Sequence, residues 1–311
     1  MTAAPTHLLA VHDLDRDEIL SIFREAVALK AMRRRALPTQ RLSGKTLGLF
    51  FEKPSTRTRV SFETGMNQLG GQSIFISVAD IQMQRGETVA DTARVLSRYL
   101  DGLVIRAYEH HAVEAWARNA TIPVINGLTD LHHPCQVLSD LFTIREKKRR
   151  LKGIKIAYVG DGNNVANSLI EGAAIMGLTI SVACPSSYEP DASIVEWARE
   201  KGERTKASIE ILRDPYVAVK GADVLYTDVW TSMGQEKEQA RRVKVLAPYQ
   251  LNGKLLAAAH PDAIVMHCLP AHRGQEISVD VLEGPQSVVL DQAENRLHVQ
   301  KAILIRLLKD R

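Results

Sequence analysis

Short apolar runs alternate with amphipathic stretches along most of the chain. KTLGLFF (45–51), SIFIS (73–77), GLVIR (102–106) and IPVING (122–127) read as buried strands. Between them, helical periodicity covers 58–69, 88–100 and 110–120. The alternation continues with strands at 155–160, 178–184, 207–212, 222–228 and 263–268, and with helices starting near Asn164, Asp191 and Asp214. A further helix is predicted from Pro134 to a stop at Gly153, and a last one over 295–310 with one apolar face. Strand–helix alternation of this kind predicts an α/β protein of parallel sheets with helices on both faces. The segment 231–244 reads instead as a polar loop hinged at Gly234, of the type that forms lids.

The chain has 311 residues, enough for about two domains of ~150 residues that each bury a core unaided. Its 45% hydrophobic and 24% charged content excludes a disordered chain, a collagen-like repeat and a disulfide miniprotein. Lys and Arg total 40 against 36 Asp and Glu, a net charge of +4. That permits a small anionic substrate and calls for no polyanion, so nucleic acid is not an expected partner. The basic stretches Arg33–Arg35 and Arg145–Lys152 fit helix C-termini, where cations meet the negative end of the dipole. Three unclustered cysteines, Cys135, Cys184 and Cys268, suggest reduced thiols. The N-terminal stretch resembles neither a signal nor a transit peptide, and no run of 18 apolar residues exists. The cytoplasm is the expected compartment, with no membrane partner.

In open α/β sheets, ligands bind beyond the carboxyl ends of the strands. Four segments there carry candidate chemistry. After the first strand, Ser55-Thr56-Arg57-Thr58-Arg59 opens a helix. Serine caps, free backbone N–H groups and guanidinium groups make an anion site, which the position after an apolar strand favours over a merely well-capped surface helix. Arg106 at a strand tip is either a ligand donor or a solvated cap. His133 and Gln136, three apart at a helix start, face the same way and suit a carbonyl and an amide; the alternative is helix capping beside a buried Cys135. Cys268 precedes Leu269-Pro270, a candidate cis bond, and is a nucleophile, an orienting group or inert. A zinc set drawn from His132, His133, Cys135, His267, Cys268 and His272 fits no standard spacing.

S-T-R-T-R at 55–59, H-P-C-Q at 133–136, D-V-W-T-S-M-G at 228–234 and H-C-L-P at 267–270 occur in this order. Together they closely resemble the ornithine branch of the aspartate/ornithine carbamoyltransferase family, over residues 6 to 309. H-C-L-P with S-M-G points to ornithine rather than aspartate as acceptor. The resemblance implies transfer of the carbamoyl group of carbamoyl phosphate to the δ-amine of ornithine, giving citrulline and phosphate without cofactor or metal. It implies that Ser55, Thr56, Arg57, Thr58, Gln82 and Arg106 bind carbamoyl phosphate. His133, Gln136 and Arg296 would hold its carbamoyl group, with Cys268 and Leu269 beside the attacking amine. Asn164, Asp228, Ser232 and Met233 would hold the amino-acid end of ornithine. Arg57, Arg106, His133, Gln136, Asp228, Cys268 and Arg296 are the implied catalytic set, with Cys268 orienting the amine rather than attacking.

The implied fold is two parallel α/β domains joined by two interdomain helices. Residues 1–150 bind carbamoyl phosphate and are completed by the C-terminal helix at about 292–311, whereas 151–291 bind ornithine. The implied assembly is a homotrimer or a multiple of trimers, and the implied role is arginine biosynthesis. Two alternatives stand beside this reading. Asp228 to Gly234 offers groups for a free α-amino acid, which disfavours putrescine, N-acetylornithine or aspartate as acceptor. The stretch YVGDGNNVANS (158–168) approaches a dinucleotide fingerprint, but the next strand ends without the acid an NAD-dependent dehydrogenase needs.

Overall fold

The computed structural model describes residues 7–77, 86–231, 234 and 236–309. Two compact units divide the chain. The first holds residues 1–139 with 295–311, and the second holds 140–294.

In the first unit, helix α1 (Arg16–Arg34) precedes a β-α alternation. Its members are β1 (Thr46–Phe51), α2 (Thr56–Gln68), β2 (Gln72–Ser77), α3 (Val89–Leu96), β3 (Gly102–Arg106), α4 (His110–Asn119), β4 (Val124–Leu128) and the start of α5 (Pro134–Lys148). The sheet order is β2-β1-β3-β4, and every pairing is parallel. β1 and β3 are buried along their length, which is why they read as continuous apolar runs instead of alternating ones. Phe50 and Trp116 pack at 4.8 Å between ring centroids in the core under this sheet.

The second unit continues α5 and runs through β5 (Lys155–Val159), α6 (Asn164–Met176), β6 (Thr179–Ala183), α7 (Ala192–Thr205), β7 (Ser208–Leu212), α8 (Pro215–Val219) and β8 (Val224–Thr227). Helices α9 (Gln239–Leu246) and α10 (Gly253–Ala257) follow, then β9 (Ile264–His267), α11 (Val279–Leu282) and α12 (Val289–Leu308). The sheet is parallel throughout, in the order β7-β6-β5-β8-β9. The division between units falls inside α5 and again inside α12.

Both sheets reverse their direction of growth once. The switch lies between β1 and β3 in the first and between β5 and β8 in the second. Crevices beyond the strand ends at such points are where open α/β sheets bind ligands.

Every predicted strand is present, with ends shifted by no more than two residues. The helices differ more. α3 stops at Leu96 instead of residue 100, where Ser97 Oγ donates back to the Ala93 carbonyl at 2.7 Å and a turn follows. α5 ends at Lys148, short of Gly153, because Arg149 takes the left-handed conformation at φ 58°. α12 starts at Val289, six residues before the predicted 295. The segment 231–244 is not one long loop. A 3-10 turn at Glu236–Glu238 leads into α9, whose polar surface hid its helical period.

Candidate functional site

At the switch point of the first sheet, β1 ends beside β3, with Phe51 paired to Arg106. Ser55 caps α2 by accepting the Thr58 N–H at 3.3 Å. The other N–H groups of that first turn, with no carbonyl one turn back to bond, remain available to an anion. Thr58 is fully buried, and its hydroxyl accepts from Arg296 Nη2 at 2.9 Å. That bond fixes Arg296, from α12, over the start of α2. Arg106 is buried at the tip of β3. Thr56 is exposed, whereas Ser55 and Arg57 are half-buried. Arg59 turns away to pair with Glu63 at 2.9 Å and to lie over the Phe75 ring.

His133 and Gln136 are buried at the start of α5. Burial pushes the His133 imidazole well below its usual pKa, and Arg296, Arg106, Lys53 and Arg57 act in the same direction. The positive charge of this unit and burial together keep the ring neutral. Lys53, in the connector between β1 and α2, is not among the candidates drawn from the sequence. The residue is 5% exposed, and its ammonium sits 4.8 Å from the Tyr108 ring centroid and is pushed down to about 8 by burial and then by Arg106. Its place two residues before S-T-R-T-R was the available signal.

Cys135 and Cys184 are buried. Burial raises the Cys135 thiol to about 12, and its Sγ donates to the Asn126 carbonyl at 3.6 Å. A protonated, engaged thiol makes it packing rather than chemistry.

At the switch point of the second sheet, β5 leads into the Gly160–Asn163 turn and β8 delivers Asp228, which is buried. Asn163 caps α6: its Oδ1 accepts the Val165 and Ala166 N–H groups at 3.0 and 3.3 Å, and the Tyr158 hydroxyl at 3.2 Å. That fixes the amide orientation, so Nδ2 donates to Asp228 Oδ2 at 2.7 Å. Cys268 Sγ donates to the other oxygen, Oδ1, at 2.8 Å. Asn164 occupies the first turn of α6 beside this group. Asn163 is a second residue the sequence reading missed. Its cap also occupies helix-terminal amides that a pyrophosphate would need, so the fingerprint-like turn is unsuited to a dinucleotide.

One buried arginine ties α9 to Trp230, just past β8, and to the turn after β5. Arg242 on α9 pairs with Asp161, donates to the Trp230 carbonyl through Nε at 2.5 Å, and lies over the Tyr188 ring. Beyond β9, Cys268 is half-buried and Leu269-Pro270 is cis. Gln82, Ser232 and Met233 lie outside the described residues.

Among the described residues, one group brings three potential metal-ligand atoms within 4.8 Å of one another: Asp228, His267 and Cys268. Both ring nitrogens of His267 are committed elsewhere, Nδ1 to the Leu269 N–H and Nε2 to Glu276. The set is arranged for hydrogen bonding around a buried carboxylate rather than for an ion.

Two family profiles match the chain. The aspartate/ornithine carbamoyltransferase carbamoyl-P binding domain matches residues 6–146, and the Asp/Orn binding domain of the same family matches 152–307. The ornithine carbamoyltransferase of Syntrophus aciditrophicus is 56% identical over 297 residues, covering 96% of this chain and 97% of that protein. The anabolic ornithine carbamoyltransferase of Pyrococcus furiosus is 52% identical over 304 residues, covering 98% and 96%. Among solved structures, ornithine carbamoyltransferase from Pyrococcus furiosus superposes with a TM-score of 0.96 at 50% identity, covering 100% of this chain and 99% of that one. The anabolic enzyme from Campylobacter jejuni superposes at 0.93 with 42% identity, covering 98% and 100%.

Proposed function

The chain belongs to the aspartate/ornithine carbamoyltransferase family, and we infer that it transfers the carbamoyl group of carbamoyl phosphate to the δ-amine of L-ornithine, giving L-citrulline and phosphate. The observation that carries this reading is the start of α2, capped by Ser55, where Arg296 donates to Thr58 and Arg106 ends the strand beside β1, with buried His133 kept neutral. A phosphate dianion needs the cations, and a carbonyl oxygen gaining charge needs a neutral N–H donor among them.

In this proposal Ser55, Thr56, Thr58 and the amides of the first α2 turn hold the phosphate, with Arg57, Arg106 and Lys53 matching its charge. Arg57, His133 and Arg296 face the carbamoyl oxygen, and Gln136 accepts from the carbamoyl amide. Attack of the amine moves negative charge onto that oxygen and then onto the departing phosphate. Donors held in place at both sites stabilise the transition state more than the ground state. The reaction is a direct displacement and needs no covalent intermediate on the enzyme.

Asp228 takes the α-ammonium of ornithine and Asn164 its carboxylate, with Ser232, Met233 and Gln82 retained as part of the site by resemblance. A lysine-like amine has a pKa of ~10.4, so about one molecule in a few thousand is neutral at pH 7. Loss of water around the δ-amine lowers that value. Cys268 and the Leu269 carbonyl aim its lone pair, and the departing phosphate accepts the proton released. Residues 1–150 with 292–311 serve carbamoyl phosphate and 151–291 serve ornithine.

A homotrimer or multiple of trimers, a cytoplasmic location and a role in arginine synthesis belong to the same proposal. A relative named anabolic supports the direction. No helix among the described residues is long and apolar enough to cross a membrane. The decisive test is citrulline formation from carbamoyl phosphate with ornithine, putrescine, N-acetylornithine and aspartate offered in turn. Ornithine is expected to give the highest kcat/KM, and preference for putrescine would overturn the acceptor assignment.

A further inference from the structure

The roles assigned above leave the buried carboxylate of Glu276 without a task. Glu276 is fully buried, and so is His267. Glu276 Oε1 accepts from His267 Nε2 at 3.1 Å and from the His272 backbone N–H at 2.6 Å. Its Oε2 has no hydrogen-bond donor among the described residues, and His272 Nδ1 lies 3.8 Å away. A buried carboxylate with one oxygen left bare is costly, and an apolar side chain of similar volume would escape that cost. The reason for Glu276 lies in what it holds.

It holds an imidazole in one tautomer. His267 Nδ1 accepts the Leu269 N–H at 2.9 Å, so its single ring proton is on Nε2, facing Glu276. The His267 backbone is fixed as well, by donation to Gln292 Oε1 at 3.0 Å, while Gln292 Nε2 donates to Asp140 Oδ1 at 2.7 Å. Leu269, the residue at the far end of this chain of bonds, stands at φ 58°. A branched residue keeps that left-handed backbone only where its surroundings impose it. With the proton on Nδ1 instead, two donors would face each other across the Leu269 N–H, and the segment would relax.

We propose that Glu276 and His267 are positioning residues for the acceptor amine. Glu276 fixes the His267 tautomer, His267 pins Leu269, and Cys268 and Leu269 thereby keep their aim at ornithine. This rests on the reading that Cys268 and Leu269 face the δ-amine, so the test separates the two.

Steady-state kinetics with each substrate varied compares His267→Asn with His267→Gln. Asparagine places a carbonyl oxygen close to the position of Nδ1 and still accepts the Leu269 N–H. Glutamine reaches Glu276 with its amide nitrogen and offers Leu269 nothing. For ornithine, kcat/KM should stay within about fivefold in the asparagine variant and fall more than about tenfold in the glutamine variant, the scale of one hydrogen bond. The KM for carbamoyl phosphate should hold in both. A second pair reads the same bond from the other side. Glu276→Gln keeps an oxygen at Oε1 and should stay near the asparagine variant, whereas Glu276→Leu should match the glutamine one.

Equal losses within each pair, or a carbamoyl phosphate KM that rises in step with that of ornithine, would overturn the proposal. Cys268→Ala decides which idea failed. If it impairs ornithine kinetics while the paired variants do not differ, the strut alone is wrong. If it leaves ornithine kinetics intact, the placement of the amine is wrong and the strut falls with it.

Discussion

At the scale of single residues, the site is made by charges held where water is scarce. Lys53 is the clearest case, because its ammonium titrates near 8 rather than 10.5. The protonated form attracts the phosphate dianion, so kcat/KM for carbamoyl phosphate should fall as pH rises through about 8. That parameter reports ionisations of the free enzyme and free substrate. The break should vanish in Lys53→Met, measured from about pH 6.5 to 9.5 at saturating ornithine. A break of unchanged size in the variant would remove Lys53 from the site. The residues recognised from sequence were those whose type and spacing carry the chemistry: Ser55 to Thr58, His133, Gln136, Asp228 and Cys268. Lys53 and Asn163 escaped because their roles depend on neighbours brought by other strands. Lysine after a strand is ordinary until Arg106 stands beside it, and asparagine in a turn is ordinary until it reaches Asp228.

At the scale of elements, sequence periodicity located the central strands well because both sheets bury them on two faces. It was weaker wherever a helix carries a mostly polar surface. α9 is such a helix, and Arg242 anchors it beside the small cluster that Leu246 makes with Tyr188 and Trp230. Removing one partner of a buried ion pair leaves the other charge stranded, at a cost of about 3–5 kcal/mol. Arg242→Met should therefore destabilise the protein by about that amount in chemical denaturation and raise the KM for ornithine. Adding Asp161→Asn should recover part of the stability, since the stranded carboxylate is gone. A double variant less stable than the single one would show that the pair does not act as a unit. The turn between β5 and α6 gives the converse case. Its glycines only approach a dinucleotide fingerprint, one the missing acid already disfavoured, and the asparagine cap occupies amides such a ligand would need.

At the scale of the whole chain, alternating strands and helices were legible as two α/β units, whereas the switch points were not. Strand order is set by which edges pair, and that information is not periodic in sequence. The first unit also carries a charge that opposes its own folding. Lys301 is 2% exposed, donates to Gln68 Oε1 at 2.8 Å, and is pushed down to about 8 by burial and then by Arg33. Its folded pKa lies below its unfolded one, so between about pH 8 and 10.5 the unfolded chain binds more protons and stability rises with pH. Lys301→Met should remove this contribution. The difference in melting temperature between variant and wild type should be most in the variant's favour near pH 7.5 and drift toward the wild type as pH rises to about 10. A difference independent of pH would refute the assignment.

The interleaving of the units has a consequence for how the protein is made. The second unit is one continuous stretch, 140–294, and is complete as soon as that stretch has left the ribosome. The first must wait, because residues 295–311 belong to it and bring Arg296 to Thr58. Its sheet residues are synthesised first, yet its anion site cannot close until nearly the whole chain exists. During synthesis the unit that matches the family's carbamoyl-P binding domain is therefore the last to be completed.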